Sequence, residues 1–361
     1  MLGGCVPLRT LFHRPPPLRD AFARGFLVGA AVNRAQVTGA DERGAKLVKS
    51  QYNSITAENV LKWQLVHPLP RTYDFVAADR YVEFGERNRM FVIGHTLVWH
   101  SQVPRWVFLD SAGAPLGRDS LLARMRDHIL TVVGRYRGRV KGWDVVNEAL
   151  NEDGTLRDSP WRQIIGDDYI AAAFRYAHEA DPDAQLYYND YDLENPAKRA
   201  GAVQLVRDLL AQGIPLTAVG TQEHNRLDSP PASEVEATIT ALAATGVHVN
   251  VTELDVDVLP AAGNGTSADV SIRAVATPAT DPYRLGLPDS VQHRLTDRYA
   301  ELFRVYWRHR DVIDRVTVWG VRDGDSWLNH WPIRGRTSYP LLFDRKGKPK
   351  PAFAAIERVA R

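Results

Sequence analysis

The feature that most constrains the fold of this sequence is a repeated alternation. A short apolar run is followed by a longer stretch whose apolar residues recur every three or four positions. Eight such runs occur, at 26–32, 53–56, 90–98, 140–146, 185–189, 216–220, 247–252 and 314–320. Runs of this length, rich in Val, Ile and Tyr, read as buried strands. Helical spacing predicts helices near 41–48, 75–86, 169–180, 197–211 and 234–243. Leu122, Met125, Ile129 and Val133 mark another, behind Asp119 and Ser120, which suit a helix N-cap. Val291, Leu295, Tyr299, Leu302 and Tyr306 mark a long one. Strands alternating with helices require a parallel sheet, and eight of them predict an α/β fold, a single-domain (β/α)8 TIM barrel. An open doubly wound sheet shares the alternation but usually carries a glycine-rich phosphate turn after its first strand, and 33–38 has no GxGxxG. The barrel is expected over 23–361. Residues 1–22, with Pro15, Pro16 and Pro17, are expected to be an irregular lead-in, and 259–282, rich in Ala, Thr and Gly, a long loop after the seventh strand.

Composition narrows the function classes. Lys+Arg 45 against Asp+Glu 43 leaves a formal charge of +2, too little for an electrostatic nucleic-acid binder. A single cysteine, Cys5, excludes an internal disulfide framework and a Cys-rich metal site. No apolar run approaches the roughly 20 residues that span a bilayer. MLGGC at 1–5 resembles the end of a lipoprotein signal, but the basic and apolar regions that should precede Cys5 are missing. A secreted or periplasmic monomer is expected.

In a barrel of this type, active groups gather at the carboxyl ends of the strands. Those ends read Asn33, Glu58 and Asn59, His95, Asn147 and Glu148, Asn189 and Asp190, Gln222 and His224, Glu253 and Asp255, and Trp319. Any single Glu is most simply a solvated surface charge. Glu148 and Glu253 differ because each follows an apolar strand, the fourth and the seventh, which the barrel is expected to oppose across its mouth. Two facing carboxyls, one protonated and one ionised, are the equipment of glycoside hydrolysis. Trp99, Trp143, Trp319 and Trp327 lie at or near strand ends, where aromatic faces can stack on sugar rings. Trp143, in mid-strand, reads equally well as core.

The residues resemble a known family. WDVVNEAL (143–150) is similar to the acid/base motif of glycoside hydrolase family 10, the endo-1,4-β-xylanases, and VTELDV (251–256) to its nucleophile motif. TAENVLKW (56–63), GHTLVWHSQVP (94–104), YYNDYDLE (187–194), GTQEH (220–224) and WGVRDGDSWL (319–328) match further segments in the same order, and YPLLFDRKGKPKPAF (339–353) also fits. The resemblance implies a retaining hydrolase of xylan and xylo-oligosaccharides with Glu148 as acid/base and Glu253 as nucleophile. It implies that Asn147 bonds the sugar 2-hydroxyl, and that His224, held by Asp255, bonds Glu253. Glu58, Asn59, Lys62, His95 and Gln222 would line the glycone side. Trp99, Trp319 and Trp327 would wall the cleavage point, and Tyr191 would lie toward the leaving group. A cis peptide between His95 and Thr96 is implied as well.

Val60, the 259–282 loop, Arg322 and Asp323 depart from the family pattern. Three rivals remain at this level. A β-1,4-glucanase would use the same machinery. A non-catalytic carbohydrate-binding protein would normally have lost a carboxylate. A metal hydrolase would recruit His95, His100, His224 and Asp323, but His95 and His100 lack the HxH or HExxH spacing. No metal and no cofactor is expected.

Overall fold

The computed structural model describes residues 16–261, 270 and 273–361. The readings made for Cys5, for most of the lead-in and for part of the 259–282 loop lie outside the described residues. Nine strands are present among those described: β1 Leu27–Val32, β2 Ser54–Ala57, β3 Phe91–Trp99, β4 Gly142–Asn147, β5 Gln185–Asp190, β6 Ala218–Thr221, β7 His224–Arg226, β8 His248–Asp257 and β9 Ile313–Val318. All pair in parallel. β1 joins β2 and β9, and β6 joins β8, so eight strands close into a ring with β7 outside it. This is the expected TIM barrel. β7 has no apolar signature that would announce it in the sequence. It pairs with the far half of β8, His224 opposite Asp255, and β8 accordingly runs on to Asp257 instead of ending near 252.

The outer layer contains helices Glu42–Gln51, Val76–Arg87, Arg118–Arg135, Tyr169–Ala180, Pro196–Ala211, Ala232–Ala243, Asp289–Arg308 and Pro351–Val359. Each turns an apolar stripe inward. Val76–Arg87, for instance, buries Ala78, Tyr81, Val82, Phe84 and Gly85. The capping expected of Asp119 and Ser120 is not realised. Gly117 is the cap residue without a side-chain bond, and Asp119 sits in the first turn, where its charge meets the positive end of the helix.

The body also starts earlier than residue 23. Leu18–Ala21 is a short helix, and Leu18 and Phe22 are fully buried. Phe22 packs on Phe26, Phe303 and Trp307. Burial of a large apolar side chain stabilises by roughly 1.5–3 kcal/mol, which docks this segment despite the prolines before it. Trp143 belongs to the core as well. It is fully buried, and a Cβ on Gly94 would collide with its ring, so β3 can approach β4 only with glycine at 94.

Candidate active site

Glu148 follows β4 directly, with its backbone in the left-handed region at φ 56°, and its amide bonds the Asn189 carbonyl at 2.8 Å. Glu253 lies within β8, its amide bonded to the Gln222 carbonyl at 2.9 Å. The two strands are not directly opposed, because β5 and β6 stand between them in the ring. Those intervening strands supply the connection. Asn189 Nδ2 donates to Glu253 Oε1 at 2.9 Å and to Asn147 Oδ1 at 2.8 Å, and Asn147 Nδ2 donates to Glu148 Oε1 at 3.0 Å. Gln222 Nε2, just past β6, donates to the same Glu148 oxygen at 3.0 Å. Gly220 is required here, since a Cβ at that position would strike the Asn189 amide oxygen.

The two carboxyls have different surroundings. Trp99 Nε1 donates to Glu148 Oε2 at 2.7 Å, but burial dominates, and with the Asp190 and Glu253 charges it pushes the Glu148 carboxyl up to about 7. Burial also pushes Glu253 up. There it is outweighed by the His224 hydrogen bond and by the positive groups of His95, His224 and Lys62, and Glu253 ends below the usual glutamate range. His224 Nε2 contacts Glu253 Oε2 at 3.2 Å and Nδ1 contacts Asp255 Oδ1 at 3.1 Å. Burial disfavours its charge, yet the two carboxylates outweigh burial and raise it to about 10, so both ring nitrogens donate at neutral pH. Trp327 Nε1 donates to the second Asp255 oxygen at 2.7 Å. One chain of contacts thus runs from a cleft wall to the carboxylate expected to be the nucleophile.

Around this pair the cleft encloses about 170 Å³. Eleven of the residues anticipated from sequence line it: Glu58, Asn59, Lys62, His95, Trp99, Glu148, Gln222, His224, Glu253, Trp319 and Trp327. Lys62 donates to Asn59 at 3.1 Å and to Gln102 at 2.8 Å, and lies 5.0 Å over the Trp99 ring. Burial holds its pKa down, against the pull of Glu253, Glu58 and Glu148. His95 Nδ1 contacts Asp144 Oδ2 at 2.9 Å, and the His95–Thr96 peptide is cis, as the resemblance implied.

Asn147, Asp255 and Tyr191 do not line the cleft. Asp255 supports it from behind through His224, and Asn147 adjoins it through Glu148, to which it donates. Tyr191 is buried instead of open to the cleft. It is 1 % exposed, its ring lies under Lys198, and its hydroxyl bonds Glu152 and Arg157. Arg157 in turn donates to the Glu148 carbonyl at 3.2 Å, which links the Tyr191 hydroxyl to the backbone of Glu148. Asp323 is paired with buried Lys350, while Arg322 pairs with Asp41 and Asp325. These two residues fasten the loop that carries Trp327. Among the described residues no group of three or more His, Cys, Asp or Glu could hold a metal ion.

Sequence reasoning undervalues Gln102, Asp144 and Asn189. Asn189 is visible as a polar strand end, and the other two stand inside quoted motifs. Nothing in local pattern distinguishes them from their neighbours.

The chain is similar to known proteins over nearly its whole length. Residues 17–359 match the family model described as glycosyl hydrolase family 10. The chain is 44% identical over 351 residues to endo-1,4-beta-xylanase A of Xylanibacter ruminicola, covering 97% of this chain and 95% of that protein. A solved GH10 endoxylanase retrieved from sugarcane soil metagenome is 45% identical, with a TM-score of 0.91 over 96% of this chain and all of the other. A solved mutant structure in complex with xylotriose is 35% identical, with a TM-score of 0.84 over 94% of this chain and 99% of that one.

Proposed function

The chain belongs to glycosyl hydrolase family 10 and is a retaining endo-1,4-β-xylanase, and from that premise we propose that Glu148 is its acid/base and Glu253 its nucleophile. The observation that carries this assignment is the divergence of two buried carboxyls in one cleft, Glu148 raised to about 7 and Glu253 lowered. In the first step a Glu253 oxygen attacks the anomeric carbon, the glycosidic C–O bond breaks, and the Glu148 proton passes to the departing oxygen. In the second step Glu148, now a carboxylate, takes a proton from water as that water attacks the same carbon. The ester bond to Glu253 breaks, and the two inversions return the β-anomer.

The sugar-binding roles follow the layout of the cleft. Glu58, Asn59, Lys62, His95 and Gln222 bond the glycone hydroxyls, and Trp99, Trp319 and Trp327 enclose the ring at the cleavage point. Asn147 uses one N–H on Glu148 and offers the other to the 2-hydroxyl, a bond that strengthens as the oxocarbenium ion forms. Xylan and xylo-oligosaccharides are the substrates. The enzyme acts as a monomer, without nucleic acid, metal or cofactor, in the secreted or periplasmic space where a polysaccharide too large to cross a membrane is found. No helix among the described residues is long and apolar enough to cross a membrane.

Proton NMR of fresh xylan hydrolysate tests the scheme, with β-xylosyl reducing ends expected before mutarotation. Initial α-product would overturn the nucleophile role of Glu253. Glu253→Ala should lose essentially all activity. Glu148→Ala should keep most of its activity on an aryl xyloside with a good leaving group, and azide should raise its turnover. Equal rates on xylan and carboxymethyl cellulose would overturn the preference for xylan.

A further inference from the structure

Gln222, Glu223 and His224 are consecutive, and the outer two touch Glu148 and Glu253. Glu223, between them, touches neither. It is 2 % exposed and turned away from the cleft, into the layer between barrel and helices. Its φ is 62°, in the left-handed region that favours glycine, so a glutamate persists there only where its surroundings hold it. Glu223 Oε2 accepts from Asn225 Nδ2 at 2.9 Å and from the Tyr306 hydroxyl at 3.2 Å. Oε1 is buried without a donor among the described residues, and the Glu223 carboxyl is hydrogen-bonded to that of Glu194. Glu194 is also buried, on the loop between β5 and helix Pro196–Ala211, and its Oε1 accepts from Thr221 at 3.1 Å.

Two buried carboxyl oxygens in contact need a hydrogen between them, because like charges at that range cannot both be ionised. Arg298, whose charge reaches Glu223, does not intervene. Arg298 directs Nη2 to Asn225 at 3.1 Å and to the Pro230 carbonyl, and Nη1 to Glu301.

We propose that Glu223 and Glu194 share one proton, and that this carboxyl–carboxylate bond is the anchor that positions Gln222 and His224 against Glu148 and Glu253. The positioning half rests on the catalytic roles assigned above. Burial first, then the charge of Glu194, push the Glu223 carboxyl well above its ordinary range. The groups facing the pair are Tyr306 and Arg298 from helix Asp289–Arg308, Asn225 from β7, Thr221 from β6, and Asp192 from the loop of Glu194. Tyr306 is kept neutral by burial. When the shared proton leaves at alkaline pH, two adjacent charges push the tripeptide off its support, and both catalytic carboxyls lose a partner.

Infrared spectroscopy tests the shared proton directly. Above about pH 7 Glu148 is ionised, and the anchor, with Glu223 held well above the ordinary carboxyl range, is expected to keep its proton. The wild-type enzyme should show the C=O stretch of a buried carboxylic acid, shifted in D2O, and Glu223→Gln should lack it. Absence of the band in the wild type, or its survival in Glu223→Gln, overturns the proposal.

Kinetics tests the positioning. Glu223→Gln, whose amide can donate to Glu194, should keep kcat within a few-fold at about pH 6. Its alkaline loss of activity on an activated aryl xyloside should move to higher pH. Glu223→Ala should lose about 10- to 100-fold in kcat with little change in KM. An Ala variant with unchanged kcat, or a Gln variant as impaired as a folded Ala variant, would also overturn it. The infrared result stands apart from the roles of Glu148 and Glu253, so the two readings fail separately.

Discussion

Asn189 Nδ2 lies 2.9 Å from Glu253 Oε1, and the same amide nitrogen lies 2.8 Å from Asn147 Oδ1, the residue that bonds Glu148. One strand-end amide therefore sets the spacing of two carboxyls carried on strands that are not neighbours. Its own oxygen accepts from Thr252 Oγ1 at 2.6 Å, which fixes which end of the amide faces the acids.

Asn189→Asp should be far more damaging than its size suggests. The substitution replaces a donor by a third buried carboxyl beside Glu253, and the Glu253 pKa should rise. We expect kcat on xylan to fall by about 100-fold or more, with the acid limb of the pH profile moved upward. A profile and a rate equal to wild type would show that the bridge is dispensable.

Trp99→Phe separates stacking from hydrogen bonding. The indole N–H stabilises the charged form of Glu148, so its loss should raise the Glu148 pKa further. Glu148 works as the protonated acid, and activity falls as pH rises through its pKa. The alkaline limb of kcat/KM for xylan should therefore move up by about one pH unit, the equivalent of roughly 1.4 kcal/mol.

Asp255→Asn acts at one remove. It takes away the largest support for the imidazolium of His224, whose pKa should drop from about 10. Glu253 then loses positive charge and its own pKa should rise. Glu253 must be ionised to attack, so activity should be lost on the acid side while the alkaline limb stays in place. Imidazole 15N shifts followed with pH give the His224 change independently.

A different pair governs stability in acid. His67 Nδ1 and His128 Nδ1 lie 3.2 Å apart, and the His128 ring stacks on Trp63 at 3.5 Å. The Nε2 atom of each is buried without a partner among the described residues. Burial lowers His67 to about 4 and His128 well below the ordinary histidine range. Both folded values lie under the unfolded value near 6.5, so their contribution is complete above about pH 6.5 and is lost as pH falls toward 4. The urea midpoint should drop between pH 7 and 5, and it should drop less in His128→Phe, which keeps the stack and removes one buried base.

The barrel was legible in the sequence because its signals are local. A buried strand must be apolar on both faces, and a covering helix must repeat every three or four residues, so eight alternations imply a parallel α/β sheet, and the missing glycine-rich turn favours its closure into a ring. The positions of Glu148 and Glu253 followed from the same logic, since strand ends open onto the mouth. Local pattern could not say which polar strand-end groups touch which. Gln222 and Glu148 are far apart in the chain and 3.0 Å apart in space, and only closure of the ring brings them together. The same holds for Tyr191, whose ring lies under Lys198 and whose hydroxyl bonds Arg157, and for Arg322 and Asp323, which pair with the remote Asp41 and Lys350. The order of the eight ring strands and most of the residue types at their ends were determined by sequence alone, whereas β7 was not. The charge state of each carboxyl was decided by tertiary structure, because burial and neighbouring charges set a pKa and both are properties of the packed chain.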